Sequence, residues 1–189
     1  DYAQQIFPDV PIVALQPLET KEIAANITWV GNFRDDLSKN IELILKIKPS
    51  TKKIVIIAGD SILEREAIEA FLPLASQYED QVELVFTNNL SREAMVAEVE
   101  EGGEDSAVLF LSCLVDITGQ RYASDQVLKE LSQVAKGPIY TTDASFLGQG
   151  TVGGYQRNWS AAGEEAARAG IAVLKGEEYL KEDPSLNTY

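Results

Sequence analysis

Two hydrophobic patterns alternate along the chain. The first is a short apolar run such as KIVIIA at Lys53–Ala58, which is apolar on both faces and rich in β-branched residues. Such a run predicts a strand that is covered by helices on each side. In the second pattern, as in Asp35–Lys48 with Ile41 and Ile44, apolar residues recur every three or four positions. This spacing predicts a helix with one apolar face.

The same patterns recur from one end of the chain to the other. The predicted strands are Pro11–Leu15, Lys53–Ala58, Val82–Phe86, Ala107–Leu111 and Ile139–Thr141. The predicted helices are Asp35–Lys48, Ser61–Tyr78, Ser91–Glu101, Ser124–Lys136 and Trp159–Lys175. Ser61 and Glu64 have the spacing of a capping box, and Pro73 predicts a kink or break in the same helix. Regular alternation with short connections predicts an α/β fold with a doubly wound parallel sheet and right-handed crossovers.

Composition and charge exclude several classes of function. The 189 residues carry a formal net charge of -14, which repels phosphate backbones, so nucleic acid is not expected as a partner. The chain has no histidine and one cysteine, which excludes histidine-based catalysis and cysteine-rich metal sites. We therefore expect no cofactor, no metal and no catalytic residues. No apolar run approaches the length of a membrane helix.

Polar residues follow every predicted strand of the central part of the chain. Ligands of open parallel sheets bind beyond the carboxyl ends of the strands, where helix N-termini converge. The ligand-binding candidates chosen by this rule are Asp60, Ser61, Asn88, Cys113, Asp116, Tyr122, Asp143 and Ser145. Capping and turn formation are the competing explanation for these residue types, and capping is favoured for Ser61. Cys113 fits a small buried residue better than a nucleophile, because no base is present to activate it.

Asp116 and Asp143 are the acidic candidates for which capping is the weaker explanation. Asp116 lies in the long loop DITGQRY, and Asp143 precedes another long loop. Either carboxylate would accept an ammonium group, while the N–H groups at Ser61 would face a carboxylate. Tyr122 is the preferred aromatic residue for stacking on a ligand. An enzyme that uses the two aspartates around a divalent cation is an alternative, but no complete catalytic constellation supports it.

A glycine-rich segment after the last predicted strand has the spacing of a dinucleotide fingerprint. Gly148, Gly150 and Gly153 spell G-x-G-x-x-G, and Gly154 follows directly. A fingerprint joins a strand to a helix in one tight turn, whereas here an extended stretch follows. We interpret these glycines as a hinge or crossover, where positive φ and close backbone approach are needed.

Five stretches in order resemble the ABC-transporter-type solute-binding proteins of the type I periplasmic-binding fold, including versions that serve as sensor domains of bacterial histidine kinases. The stretches are FPDVPIVAL at Phe7–Leu15, LILKIKPSTKKIVIIAGD at Leu43–Asp60, SAVLFLSCLVDITGQRY at Ser106–Tyr122, GPIYTTDASFLGQGTVGGY at Gly137–Tyr155 and AAGEEAARAGIAVLKGE at Ala161–Glu177. The resemblance implies two α/β lobes that close on a ligand between them. Residues 1–26 would be the end of the first lobe, 27–145 the carboxyl-terminal lobe, and 146–189 the crossover strand and helix returning to the first lobe. One lobe would thus be nearly complete and the other partial.

The resemblance also implies a function. We expect a small, amino-acid-like solute as ligand, a location on the periplasmic or extracellular face of a bacterial membrane, and a role in signal transduction. The closing LNTY is similar to the strand that such sensors use before their membrane-proximal exit, which favours a sensor over the binding component of a transporter. The chain begins at Asp1, so either a leader has been removed or the chain is a segment of a longer protein, and the pattern favours the segment. Membrane contact would then be made only by flanking segments, and a homodimer is compatible with the sequence.

Overall fold

The computed structural model of the protein describes residues 5–8, 10–15, 26–30, 35–177, 179 and 187–189. Strands and helices alternate within them. The strands are β1 (Ile12–Leu15), β2 (Ile27–Val30), β3 (Lys53–Ala58), β4 (Glu83–Phe86), β5 (Ser106–Ser112), β6 (Ile139–Thr141), β7 (Gln156–Arg157) and β8 (Asn187–Thr188). The helices are α1 (Leu37–Ile47), α2 (Ile62–Ala75), α3 (Arg92–Glu101), α4 (Ser124–Val134) and α5 (Trp159–Lys175).

The chain divides into two compact units. The larger unit consists of residues 35–156 together with Tyr189, and the smaller unit consists of residues 1–34 and 157–188. The chain therefore changes unit at 34/35, at 156/157 and at 188/189. The lobe boundaries at 27 and 145, which were expected from the resemblance, stay a prediction.

The larger unit contains a four-stranded sheet with the order β4-β3-β5-β6, and every neighbouring pair is parallel. A fifth extended segment lies along β6, where Gly153 pairs with Tyr140 in parallel. Parallel neighbours require crossover connections, and α2, α3 and α4 provide them. The predicted parallel α/β sheet is confirmed.

Both faces of this sheet are covered by helices, because β3 is apolar on both sides. Ile54 and Ile56 pack with α1 and α2 on one face, while Val55 and Ile57 pack with α3 and α4 on the other. The strand β5 divides in the same way between the two clusters. The sheet is therefore doubly wound, as the pattern of KIVIIA predicted.

The helix ends follow local rules, with one difference at Pro73. Ser61 and Glu64 form the predicted capping box at the start of α2. The α-helix continues through Pro73 to Ala75 and then tightens into a 3-10 turn over Ser76–Tyr78, so the predicted break does not occur. Pro73 lies in the last turn of the helix, so only two helical residues follow it, although it cannot donate an N–H to the carbonyl four residues earlier.

In the smaller unit, β1 and β2 form a parallel pair with Ile12 opposite Ile27. The strand β2 has only four residues and was not predicted from the sequence. The helix α5 packs on this pair, with Ala162 fully buried against Leu15. Asn158 caps the first turn of α5, and Gly176 ends the helix with a φ of 71°, as its sequence pattern predicted.

Candidate functional site

The strand order creates a switch point at the carboxyl end of the larger unit's sheet. β3 and β5 are neighbours, but the chain leaves β3 for α2 on one face and β5 for α4 on the other. In parallel sheets, ligands bind at such a point because helix N-termini and free backbone groups converge there. Residues 59–61 and 112–116 therefore lie where a ligand is expected.

The two chain segments at the switch point are hydrogen-bonded to each other directly. The N–H of Gly59 donates to the carbonyl of Ser112 at 3.1 Å, and the N–H of Asp60 donates to the carbonyl of Val115 at 2.6 Å. A Cβ atom at position 59 would lie 2.3 Å from the carbonyl oxygen of Val115. Only glycine permits this close approach, so Gly59 fixes the spacing of the two segments.

A buried carboxylate, that of Glu64, joins the same two segments from the first turn of α2. Its side chain is 3% exposed. Oε2 accepts the N–H of Ser61 at 3.0 Å, while Oε1 accepts the hydroxyl of Ser112 at 2.6 Å and the N–H of Leu114 at 2.9 Å. The Ser61 N–H, which was expected to face a ligand carboxylate, is thus bonded to Glu64. The capping-box spacing predicted the contact with Ser61, but no sequence signal indicated the two contacts with the loop after β5.

Asp116 organises its own loop rather than presenting a free carboxylate. It is 1% exposed. Oδ1 accepts the N–H and hydroxyl of Thr118 and the N–H of Gln120, and Oδ2 accepts the N–H of Arg92 and the hydroxyl of Tyr122. Burial favours the neutral acid, but the hydrogen bonds from Thr118, Arg92 and Tyr122 outweigh it and lower the pKa of Asp116 to about 2. A ligand ammonium group would have to displace one of these donors, so the structure gives Asp116 a positioning role.

Tyr122 and Cys113 are also held by neighbouring groups. The Tyr122 hydroxyl donates to Asp116 at 2.9 Å, and the guanidinium of Arg92 lies over its ring, 5.5 Å from the centroid. One ring face is therefore occupied, which leaves less of Tyr122 for stacking on a ligand. Cys113 is fully buried, with its sulfur 4.0 Å from the sulfur of Met95. Burial, followed by the charges of Glu64 and Asp116, raises the pKa of the thiol to about 12, so Cys113 is a core residue.

An ion pair lies at the surface of the switch point. The carboxylate of Asp60 contacts the guanidinium of Arg65 at 3.0 Å, with side chains that are 24% and 45% exposed. Arg65 was not singled out from the sequence, although its position four residues into the segment after Ser61 places it on the first turns of α2. Asp60 and Arg65 thus place a negative and a positive charge at the switch point, and a ligand can reach both.

The remaining candidates lie on either side of the switch point. Asn88 is half-buried in the turn after β4, next to β3. Asp143 and Ser145 follow β6, next to β5, where Oδ1 of Asp143 accepts the N–H of Ser145 at 2.9 Å and begins a 3-10 turn. The structure thus places Asp60, Ser61, Cys113 and Asp116 at the switch point, with Asn88 on one flank and Asp143 and Ser145 on the other.

The glycines of the G-x-G-x-x-G segment have the backbone conformation that was predicted. Gly148, Gly150, Gly153 and Gly154 have φ values of 79°, 97°, 133° and 158°. Gly153 also accepts the N–H of Thr141 at 2.9 Å, which ties this segment to β6. No helix follows these glycines directly, so the dinucleotide interpretation is excluded. A hinge role stays a prediction.

The part of the chain that the structure describes contains no group of three or more His, Cys, Asp or Glu side chains placed to hold a metal ion. Within the same residues, every helix is too short or too polar to cross a membrane.

Three solved structures have a fold similar to that of this chain. A conserved domain protein from Vibrio cholerae has 19% identity and a TM-score of 0.59, covering 81% of this chain and 50% of that chain. The ligand-free, open structure of CD0873 from Clostridium difficile, a substrate binding protein with adhesive properties, has 16% identity and a TM-score of 0.66, covering 93% and 62%. The xylose-binding transcription activator XylR has 14% identity and a TM-score of 0.62, covering 97% and 52%. The chain thus spans about half to three fifths of the length of these proteins.

These similarities and the doubly wound sheet define the class: the chain has the type I periplasmic-binding fold. Residues 11–185 match the family model of the ABC transporter substrate binding proteins. The chain belongs to this family, which is one of binding proteins. No curated protein is significantly similar to it in sequence.

Proposed function

We propose that the larger unit holds a small solute against the carboxyl end of its sheet, at the switch point between β3 and β5. The observation that carries this proposal is that a member of a substrate-binding family has a switch point at the carboxyl end of its sheet, where parallel sheets bind their ligands. Glu64 and Asp116 hold the surrounding loops in place, and a pre-positioned site loses less entropy when a ligand binds.

The exposed residues at this end suit a ligand with both charged and apolar parts. Asp60 and Arg65 offer a carboxylate and a guanidinium, which complement the ammonium and carboxylate groups of an amino-acid-like solute. Asn88, Asp143 and Ser145 would add polar contacts from the two flanks. Four exposed apolar side chains follow β3 and β5 and would cover the apolar part of a ligand: Ile62, Leu63, Leu114 and Ile117. Asp60 replaces Asp116 as the preferred partner of an ammonium group, because Asp116 is saturated by protein donors.

The proposed role is that of an extracytoplasmic sensor domain, in which ligand binding is transmitted to a signalling module such as a histidine kinase. Lobes of this fold also occur in XylR, a transcription activator, which supports a role in signalling. The second candidate is the binding component of an uptake system, which the description of the family favours. The complete gene distinguishes the two: a kinase or cyclase domain after Tyr189 supports the sensor, and its absence supports the uptake component.

Native mass spectrometry of the freshly purified full-length protein tests binding itself. We expect a co-purified small molecule that is released on unfolding. The twenty amino acids and D-xylose, added one at a time, are the first probes for a rise in melting temperature. If no co-purified molecule is found and none of these probes raises the melting temperature, the proposed function is wrong.

Matched charge variants test the position of the site. Asp60→Asn and Arg65→Gln are expected to reduce the melting-temperature rise given by the best probe at least by half. Asp105→Asn is the control, because Asp105 forms a similar ion pair with Lys52, at 3.1 Å, at the amino end of the sheet. Equal effects of Asp60→Asn and Asp105→Asn would show that the ligand does not bind at the switch point.

A further inference from the structure

The larger unit has a cavity of about 460 Å³ that is separate from the switch point. It lies between the end of α1 and the outer edge of the sheet at β6. Its lining residues are Leu43, Ile47, Lys48, Pro138, Tyr140, Val152, Gly153 and Gly154. This volume is within the range of about 300–1,000 Å³ that is typical of small-molecule sites.

The cavity and the switch point lie toward opposite ends of the sheet. Pro138 immediately precedes β6, and Lys48 follows the last turn of α1, which leads into β3. The ammonium group of Lys48 also bonds to the carbonyl of Glu104, which precedes β5. These three residues mark the amino end of the strands, whereas Asp60 and Asp116 follow the carboxyl ends. A ligand in the cavity would therefore leave the switch point free.

The walls of the cavity are apolar and are partly open to solvent. Ile47 and Val152 at its rim are 62% and 64% exposed. A Cβ atom at Gly153 would meet no other atom within 4 Å, so that wall is also open. Lys48, bonded to Glu104, is the one charged residue in the lining. A neutral apolar molecule would bury the exposed side chains without having to desolvate a carboxylate.

One polar atom in the cavity lacks a protein partner. Tyr140 is 3% exposed and packs in the core with α1, and its hydroxyl is not hydrogen-bonded to any of the described residues. The Tyr122 hydroxyl, by contrast, is bonded to Asp116. The Tyr140 hydroxyl is not among the fully buried polar atoms, so it reaches the open side of the cavity, where a ligand hydroxyl would be able to bond to it in place of water.

We propose that this cavity is a second binding site, for a small neutral molecule with an aromatic or branched apolar body and one hydroxyl group that bonds to Tyr140. The apolar walls provide the affinity, and the Tyr140 hydroxyl selects the ligand by its polar group. Ligand at the switch point is not required, so the proposal is independent of the proposed function.

Phenol and toluene are matched probes, because they differ by a hydroxyl in place of a methyl group. In ¹⁵N-labelled protein, the amide resonances of Gly153 and Gly154 report directly on the cavity wall. We expect phenol to shift both resonances at millimolar concentration. Tyr140→Phe removes one hydroxyl and no existing hydrogen bond, so it should fold normally. This variant should weaken phenol about fivefold and leave the affinity for toluene unchanged.

Tyr78→Phe is the control variant, because Tyr78 is buried in the same core cluster and does not line the cavity. It should leave the affinities for both probes unchanged. The proposal is overturned if phenol does not shift the two glycine resonances, or if Tyr140→Phe weakens phenol no more than Tyr78→Phe does. The proposal is also overturned if the two glycine resonances shift when only the protein concentration is changed, because a second copy of the chain would then cover the cavity.

Discussion

The two ends of the four-stranded sheet are held together by different kinds of contact. At the carboxyl end, the buried carboxylates of Glu64 and Asp116 collect hydrogen bonds from the loops after β3 and β5 and from the start of α3. At the amino end, the N–H of Lys52 donates to the carbonyl of Asp105 at 2.8 Å, and the side chains of the same two residues form an ion pair that is 81% and 51% exposed.

This difference shows that acidic residues of one sheet serve separate purposes. A buried carboxylate persists only when donors satisfy it, so its neighbours are fixed in position. An exposed ion pair is screened by water and holds its loops weakly. The end with the buried carboxylates is the one at which the fold is expected to bind a ligand, so we infer that the carboxylate network positions the binding loops. Three predictions test this comparison.

Glu64→Ala should have the largest effect on stability. It leaves the N–H groups of Ser61 and Leu114 and the hydroxyl of Ser112 without their acceptor, so the free energy of unfolding should fall by about 3 kcal/mol. Urea denaturation measures this change. The control is Glu66→Ala on the exposed side of the same helix, which should change stability by less than about 0.5 kcal/mol. Similar losses in both variants would show that the network does not stabilise this end.

Asp116→Asn should destabilise the protein by about 2 kcal/mol at neutral pH, because an amide NH₂ replaces one of two oxygens that accept hydrogen bonds. The effect should depend on pH. The pKa of Asp116 in the folded protein is lowered to about 2, below its value in the unfolded chain. Its contribution is therefore complete above the unfolded pKa of about 4 and is lost as the pH falls toward 2.

Denaturation of the wild type and of Asp116→Asn between pH 7 and pH 2 measures this dependence. The difference in stability between the two proteins should shrink below about pH 4. A difference in stability that stays constant to pH 2 would mean that the hydrogen bonds do not lower the pKa of Asp116 in the folded protein.

Asp105→Ala at the amino end should have the smallest effect. Its partner Lys52 remains solvated when the ion pair is lost, so the free energy of unfolding should change by less than about 0.5 kcal/mol. Raising the salt concentration should reduce even this difference. A loss comparable to that of Glu64→Ala would remove the distinction between the two ends.

Features that depend on neighbours in the sequence were predicted well. The strand β3, the capping box of Ser61 and Glu64, and the end of α5 at Gly176 follow from local periodicity and capping chemistry. The strand β2 was missed because four residues, ITWV, are too few to show a period, and they become a strand by pairing with β1. The predicted break at Pro73 does not occur, because the helix continues to Ala75, while a kink there stays a prediction.

The location of the candidate residues in the fold was predicted, but their hydrogen-bond partners were not, and their role in binding stays a prediction. The polar residues after each strand do lie at the carboxyl end of one sheet, as the α/β pattern required. Their partners could not be predicted, because Arg92 donates to Asp116 across 24 positions and Leu114 to Glu64 across 50. Asp116 therefore looked available from the sequence, although protein donors fill both of its oxygens.

The sequence by itself determined the class of fold, the faces of the helices and the absence of histidine chemistry, because these depend on composition and on spacing over a few residues. Only the tertiary structure decided which carboxylates are buried, which remain accessible, and that β3 and β5 are neighbours. The strand order sets these outcomes, since it brings together groups that are far apart in the chain. The apolar cavity at Tyr140 has the same origin, because α1, β6 and Val152 meet there only in the folded protein.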